Sequence, residues 1–389
     1  MEFHVVTYNV MAPVAPPLRY SSQMERMTRI PPALAQALPV PLDAILVQES
    51  IVPQQHQRLQ EGFRELGLLY ESPQLQGHML AGKLVMGGLV WFSRWPFEVV
   101  RTHMFHASAC AEEDCLAAKG CVYIRVRKQQ QVLHLVGFHL QAWQRPHTVA
   151  VRETQVRDIA QFVADLHIPP SEPLLYLGDW NTDYYSERLQ LLRWLSLLQA
   201  QLLPLHPHSH PFSSDPGTNQ LMGVDDDVAY ASSFYPKGCY DQYLNTLTCW
   251  GCNRERLDYA ALSTVHGACH VSSWQRIVPL KSAEPFPARL TATVERNIQD
   301  LSDHYPVWVR LHVSEGDTPT TTTRDEPSIL PAAVVVTPPH PQYGLFLPHV
   351  LIGVIVTLLV ILAAVLLGVG VRRWKKTSAA AASSSSSSS

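Results

Sequence analysis

The chain has 389 residues, 46% of them apolar, with 30 Lys plus Arg against 33 Asp plus Glu and a formal net charge of −3. That length and apolar content suffice for one large globular domain or two ordinary ones with a substantial core. Acidic residues outnumber basic ones over residues 1–313, so this part lacks the basic excess of a nucleic-acid binder, which counts against a nuclease.

Taken in order, Phe3-His4-Val5-Val6-Thr7-Tyr8 reads as a strand ending at Asn9, and no room for a signal peptide precedes it. Residues 11–41 are Pro-rich and read mostly as loop. Ala44-Ile45-Leu46-Val47 is a second buried strand that delivers Gln48-Glu49, and Gly87 to Ser93 is a third, stopped by Pro96. From Val122 to Phe138 the pattern alternates on either side of a Gln129-Gln130-Gln131 turn, a hairpin that ends at His139-Leu140-Gln141. An amphipathic helix follows, roughly Thr148 to His167, with Val156, Ile159, Phe162, Val163 and Leu166 on one face.

Leu174-Leu175-Tyr176-Leu177 is next, a buried strand stopping at Gly178 and placing Asp179 and Asn181 at its carboxyl end. Two residues apart, a carboxylate and an amide point the same way and can share one phosphate or cation, or simply close an Asp-Xaa-Asn turn. A Leu-rich helix spans about Ser186 to Leu202, and residues 204–250 form an irregular excursion. In it His206, His208 and His210 alternate, which suits either a metal or a Pro-interrupted loop. Order returns at Leu257-Asp258-Tyr259-Ala260-Ala261-Leu262 and in the last strand, Tyr305 to Leu311, preceded by Ser302-Asp303-His304. Apolar strands mixed with hairpin alternation and two helices indicate a two-sheet α/β sandwich.

Residues 314–343 are rich in Pro and Thr and read as a stalk. Residues 344–371 contain Val350 to Val371, 22 residues without a charge, about 33 Å as a helix and enough to cross a bilayer core. Residues 372–389 are a basic cluster, Arg372, Arg373, Lys375 and Lys376, and a Ser-rich tail. Among the seven cysteines, Cys249 and Cys252 have the spacing of a zinc or redox pair, yet no second pair accompanies them, which favours disulfides or buried thiols.

Polar residues recur where apolar strands start or stop: Asn9, Glu49, His139 with Gln141, Asp179 with Asn181, Asp258, and Asp303 with His304. Each alone fits a cap or turn; together they are the pattern expected when sheet edges converge on one site. Carboxylates, amides and imidazoles, with no Ser or Cys nucleophile beside a base, suit a hard cation such as Mg2+ and hydrolysis by water.

In this order, Thr7-Tyr8-Asn9, Gln48-Glu49, Gly178-Asp179-Trp180-Asn181, Leu257-Asp258-Tyr259 and Ser302-Asp303-His304-Tyr305-Pro306-Val307 resemble the endonuclease/exonuclease/phosphatase superfamily of DNase I-like folds. Lys119-Gly120-Cys121 through His139-Leu140-Gln141, with Gly87-Gly88 through Trp95-Pro96, resembles its secreted bacterial sphingomyelinase branch, sphingomyelinase C. The likeness covers residues 3 to about 313. It implies a four-layer α/β/β/α sandwich, Mg2+ (or Mn2+ or Co2+) as cofactor, and cleavage of sphingomyelin to ceramide and phosphocholine.

By the same resemblance Glu49, assisted by Asn9, holds the cation, with Asp303 as a second carboxylate on the metal side. His304 is the general base, neutral near its ordinary pKa and oriented by Asp258 or Asp179. Asn181 and His139 donate to the phosphate, and Lys119, His139 or a water at the cation protonates the leaving oxygen. Gln141, with Lys119, is expected at the substrate. Trp274 and Phe286 occupy the region of the family's membrane-contacting hairpin, either inserting into a bilayer or serving as core Trp and loop Phe. Phe138 departs from the family's small hydroxyl residue, which puts the packing around His139 in question.

Two other readings compete: a nuclease or inositol-phosphate phosphatase of the same fold, and a non-catalytic membrane module that keeps it. The expected partner is a membrane lipid, with no nucleic acid, for a monomeric, membrane-anchored protein. The basic cluster after the span favours an extracellular or lumenal catalytic domain, whereas the missing signal peptide fits a cytosol-facing tail anchor.

Overall fold

The computed structural model describes residues 1–12, 22–75, 85–222, 254–267, 273–289 and 295–313, and the backbone of two short pieces at 240–241 and 246–247. The described residues lie within a compact unit, Met1–Thr321; a second unit, Thr322–Ser389, lies outside them. The stalk, the apolar span at 344–371, and Cys239, Cys249, Cys252 and Cys269 likewise lie outside the described residues. Among the described residues no helix is long and apolar enough to cross a membrane.

The chain opens with β1 (Glu2–Ala12), α1 (Gln23–Ala37), β2 (Ala44–Ser50), α2 (Pro53–Glu65), β3 (Tyr70–Glu71), β4 (Val90–Ser93) and β5 (Phe97–Met104). The middle comprises β6 (Gly120–Lys128), β7 (Gln131–His139), α3 (Pro146–Asp165), β8 (Leu174–Asp179), α4 (Arg188–Leu197) and β9 (Ala200–Leu202). Then come β10 (Tyr240–Asp241), β11 (Thr246–Leu247), β12 (Asp258–Ser263), β13 (Trp274–Ile277), β14 (Lys281–Arg289), β15 (Glu295–Asp300) and β16 (Val307–His312). One six-stranded sheet has the order β13-β16-β1-β2-β4-β3 and the other β5-β6-β7-β8-β12-β9. Both are mixed: β1 pairs parallel with β2 and antiparallel with β16, while β8 pairs parallel with β7 and antiparallel with β12.

Side-chain alternation along the strands divides the interior into three apolar layers. On β1, Phe3 and Val5 face the gap between the sheets, where they meet Leu135, Leu175, Leu177 and Ala260 of the second sheet. Val6, Tyr8 and Val10 of the same strand face outward against Met27, Ile30 and Leu34 of α1 and Leu59 and Phe63 of α2. The second sheet buries its outer face, with Val136, Phe138 and Tyr176, under Val156, Ile159 and Val163 of α3 and Leu191 and Trp194 of α4. Two helix-covered sheets stacked face to face are the expected α/β sandwich.

Three expectations need correction, and one open alternative is decided. Residues 11–41 are not mostly loop, because α1 spans Gln23–Ala37 and buries Met27, Ile30, Ala33 and Leu34 at helical spacing despite Pro31 and Pro32. Pro31 becomes a contact surface, since a Cβ on Gly62 of α2 would come 2.6 Å from its Cγ, while Pro32 faces solvent. The Leu-rich stretch is a helix only over Arg188–Leu197, after which Ala200–Leu202 pairs with β12 as an edge strand. Left open between a metal and a Pro-interrupted loop, His206, His208 and His210 form no metal-competent group among the described residues: His206 Nδ1 accepts the His208 N–H at 3.2 Å, and His210 Nε2 lies 3.3 Å from Asp215 Oδ2. Phe286 is 1% exposed and packed in the core beneath the Arg29 guanidinium, 4.9 Å from its ring centroid, so it offers no surface to a bilayer. Trp274 is half-buried, wedged between His206 and Trp308 with ring centroids 4.7 Å from each.

Gly178 is required at the end of β8. A Cβ there would sit 2.0 Å from the Phe138 carbonyl oxygen on the paired strand β7. Gly178→Ala is therefore expected to destabilise the protein by about 3 kcal/mol, the upper range for overpacking, as a fall in the thermal midpoint; an unchanged midpoint would contradict this account of the β7–β8 ladder.

Candidate active site

The site forms at one end of the gap between the sheets, and strand parity puts it there. Asn9 shares a face with Phe3 and Val5 on β1, His139 with Leu133 and Leu135 on β7, Asp179 with Leu175 and Leu177 on β8, and Asp258 with Ala260 and Leu262 on β12. Each apolar stripe filling the gap thus ends in a polar residue. Asp258 and Asp179 stand opposite each other in the β12–β8 register, and His139 opposite Asp179 in β7–β8.

Glu49 breaks this rule. Parity on β2 would send it to the helix-covered face with Ile45 and Val47, but its φ of 60° kinks the strand. The β1–β2 register shifts at the same point, between Asn9 and Ala12. A non-glycine residue in this region costs about 1–3 kcal/mol and persists only where its surroundings impose it. The side chain is held toward the gap, where Glu49 Oε1 accepts the Asn9 amide at 2.9 Å. Asn9 Nδ2 also donates to Asp179 Oδ2 at 3.1 Å, so one amide spans two carboxylates from different sheets. Asn9 is itself fixed from behind, its Oδ1 accepting the Met11 N–H at 3.0 Å and its carbonyl accepting Ser302 Oγ at 2.6 Å.

His304, delivered by the turn before β16, places Nδ1 2.8 Å from Asp258 Oδ2 and Nε2 4.0 Å from Asp179 Oδ2. Burial alone would lower its pKa, but the charge and hydrogen bond of Asp258, with Asp179 and Asp303 adding, outweigh it and raise the imidazole well above 6.5. This corrects the expectation of a base near its ordinary pKa, because carboxylates from three segments surround the ring. His139 behaves oppositely: desolvation, then the Lys119 and His304 charges, push it well below 6.5. Lys119 Nζ lies 3.3 Å from His139 Nε2 and is anchored by Asp114 Oδ2 at 2.7 Å and the Leu140 carbonyl at 2.8 Å.

The carboxylates show the strain of like charge. Burial, then the Asp258 charge, raise Asp179 to about 6, although His304, the Asn181 N–H and Asn9 oppose it. Desolvation, then the Asp303 carboxylate, raise Glu49 to about 7. Ligand atoms of Asp179, Asp258 and His304 lie within 4.8 Å of one another, the one metal-competent group among the described residues. Asp258 Oδ1 is buried without a hydrogen-bond partner. Hard oxygens in excess of nearby positive charge, one of them unpartnered, fit a divalent cation such as Mg2+.

The structure therefore brings together Asn9, Glu49, Lys119, His139, Asp179, Asp258 and His304, with Asp303 within electrostatic reach of Glu49 and His304. Asn181 lies beside them with φ 47°, its N–H on Asp179 Oδ1 at 2.9 Å and its Nδ2 on the Leu140 carbonyl at 3.0 Å. Gln141 does not reach the site: it is 0% exposed and its amide clasps the Ala111 backbone, which places it in the wall. Phe138 points away from His139 and packs edge-on against Trp180 at 5.0 Å, so the departure at this position leaves the site face unaltered.

Two contributors had no clear signal in the sequence. Asp114 sits in an acidic run inside the loop closed by the Cys110–Cys115 disulfide, and besides Lys119 it accepts the Ala142 N–H at 2.7 Å. Ser302 is distinguished only by its place before Asp303 and His304. Cys121 is buried as a free thiol.

No family model matches the chain. Two mixed sheets with a His–carboxylate cluster between their edges define the DNase I-like endonuclease/exonuclease/phosphatase fold. A Bacteroides thetaiotaomicron protein of that description superposes with a TM-score of 0.50 at 12% identity, over 81% of this chain and 98% of the other. Homologues of the chain bear the name sphingomyelinase C. One from Leptospira interrogans is 27% identical over 242 residues, 61% of this chain and 37% of the relative, so the chain spans little more than a third of that protein. One from Listeria ivanovii is 25% identical over 283 residues, 68% of this chain and 74% of the relative. Sphingomyelinase C from Streptomyces griseocarneus shares the fold with a TM-score of 0.64 at 21% identity, over 80% of this chain and 99% of the other. So does a Staphylococcus aureus beta toxin crystallised with bound magnesium ions, with a TM-score of 0.64 at 19% identity over 81% of this chain and 100% of the other.

In the cation-free protein the His304 ring is expected to titrate above 6.5. Stability from this pair is then complete below pH 6.5, the unfolded value, and is lost as pH rises through the folded value. Asp258→Asn should lower the ring's pKa, as followed by NMR of its protons; a ring titrating at or below 6.5 would contradict the geometry.

Proposed function

We propose that this chain is a divalent-cation-dependent phosphodiesterase that hydrolyses sphingomyelin to ceramide and phosphocholine at a membrane surface. The observation that carries the chemistry is the His304–Asp258 pair at 2.8 Å beside Asp179, at the edge of a carboxylate cluster that fits a cation. The substrate is supported by the homologues named sphingomyelinase C. When bound by Glu49 with Asp179, Asp258 or Asp303, a divalent cation supplies charge neutralisation for a phosphate oxygen.

The residues perform the rest. His304, with Nδ1 tied to Asp258, presents Nε2 as the atom that takes a proton from the attacking water. It must be neutral to do so, and positive charge entering the carboxylate cluster lowers its pKa toward the working range. Asn9 keeps Glu49 and Asp179 apart and oriented through its shared amide. Lys119 supplies positive charge, and the neutral His139 imidazole hydrogen bonding, to the phosphate opposite His304, and the Lys119–His139 pair, 3.3 Å apart, stands where the departing ceramide oxygen can receive its proton. Water's oxygen joins phosphorus, the bond to the ceramide oxygen breaks, and phosphocholine leaves as the second product.

The same reading extends to the membrane. The uncharged run Val350 to Val371, followed by Arg372, Arg373, Lys375 and Lys376, supports a single-pass anchor with the catalytic domain on the extracellular or lumenal side. A tether suits a lipid phosphodiester better than DNA, and the acidic balance of residues 1–313 disfavours the nuclease alternative.

The test offers the chain, with Mg2+, sphingomyelin vesicles, plasmid DNA and inositol polyphosphates. Phosphocholine release is expected from the first alone; consumption of DNA or inositol phosphate without phosphocholine would refute the substrate. His304→Ala should lower kcat/KM by about 10²–10⁴, the range for a lost general base, in a chain that circular dichroism shows still folded. An active variant would assign the base elsewhere.

A further inference from the structure

A second line of polar side chains runs behind Glu49 and takes no part in the steps above. His56, in the first turn and a half of α2, stacks on Phe92 with ring centroids 5.7 Å apart. Its Nε2 lies 2.7 Å from Glu71 Oε1, and its Nδ1 lies 2.9 Å from Ser50 Oγ and 2.9 Å from Gln74 Nε2. The other Glu71 oxygen accepts from Gln60 Nε2. A ring that donates from Nε2 to Glu71 leaves Nδ1 to accept from the Ser50 hydroxyl and the Gln74 amide, which share its one lone pair. The order Glu, His, Ser matches that of a nucleophile triad, but Ser50 is 0% exposed and meets no substrate. Its use must be internal.

Ser50 is the residue after the kink. Its N–H donates to the Gly88 carbonyl at 3.0 Å, and a Cβ on Gly88 would come 2.7 Å from Ser50 N and 2.9 Å from Glu49 C. Gly88, with φ +63°, therefore lets a backbone segment press against the Glu49–Ser50 peptide from one side. The His56 ring grips the Ser50 side chain. Between them the peptide that follows the left-handed Glu49 is fixed, and with it the direction in which the Glu49 carboxylate leaves the strand.

We propose that Glu71, His56 and Ser50 form a positioning relay that imposes the Glu49 kink and so sets where the Glu49 carboxylate meets the divalent cation. This rests on the reading of Glu49 as a metal ligand. Its residues touch neither substrate nor cation; they act through Glu49, as outer-shell partners of metal ligands do.

The test uses the full chain and Mn2+ as probe, with free Mn2+ counted by electron paramagnetic resonance in the absence of substrate. His56→Ala and Ser50→Ala should each weaken Mn2+ binding about ten-fold or more, the usual effect of losing an outer-shell partner, while the thermal midpoint of Ser50→Ala stays near that of the wild type. Ser50→Thr keeps the hydroxyl and should bind as the wild type does. Should His56→Ala fail to fold, Ser50→Ala decides. Unweakened Mn2+ binding by Ser50→Ala, or equal loss in Ser50→Thr, overturns the relay alone. A wild-type chain that binds no Mn2+ overturns the metal reading and the relay with it.

Discussion

Like charges held at close range are the constraint on which the site depends. Glu49, Asp179, Asp258 and Asp303 come from different strands and turns, yet all act electrostatically on one another or on His304. Three responses to that crowding are visible: Asn9 bridges two of the carboxylates, Glu49 and Asp179 are driven toward protonation, and His304 is driven to hold a proton. A divalent cation relieves all three at once. On the proposed reading it would let the carboxylates ionise and release His304 to act as a base, which would make cation binding and catalytic competence two sides of one charge balance.

The fold supplies this crowding without dedicating a domain to it. Strands with a two-residue period fill the gap between the sheets with apolar side chains, and the next residue of the same parity becomes the site residue when the strand ends. The core and the site are thus one face, continued. The Glu49 kink, with its positive φ and the register shift beside it, is the exception that brings β2 into the set. On the opposite wall, Gln141, Asp114 and the Cys110–Cys115 loop hold Lys119 and His139 in place without facing the gap.

Much of this was legible in the sequence, and the reason is physical. Asn9, Asp179 and His304 each mark the boundary of an apolar run, and a polar residue at such a boundary is visible whenever the run is clean. The two-sheet sandwich followed from the mixture of continuous and alternating runs. Helix α1 was hidden because Pro31 and Pro32 weigh against a helix locally, whereas its buried stripe from Met27 to Leu34 and the Gly62 contact decide the matter in three dimensions. The raised pKa of His304 was invisible, since it depends on carboxylates far apart in the chain. Phe286 and Gln141 misled for a common reason: a segment's position in an ordered set of motifs does not tell which face of its strand or loop a side chain occupies.

The most direct test of the charge-balance account measures phosphocholine release from sphingomyelin vesicles by the chain stripped with EDTA, before and after Mg2+ is restored. The account predicts no turnover in the stripped protein and recovery with Mg2+. Turnover that persists in EDTA, or fails to appear when Mg2+ is restored to a folded chain, would contradict it.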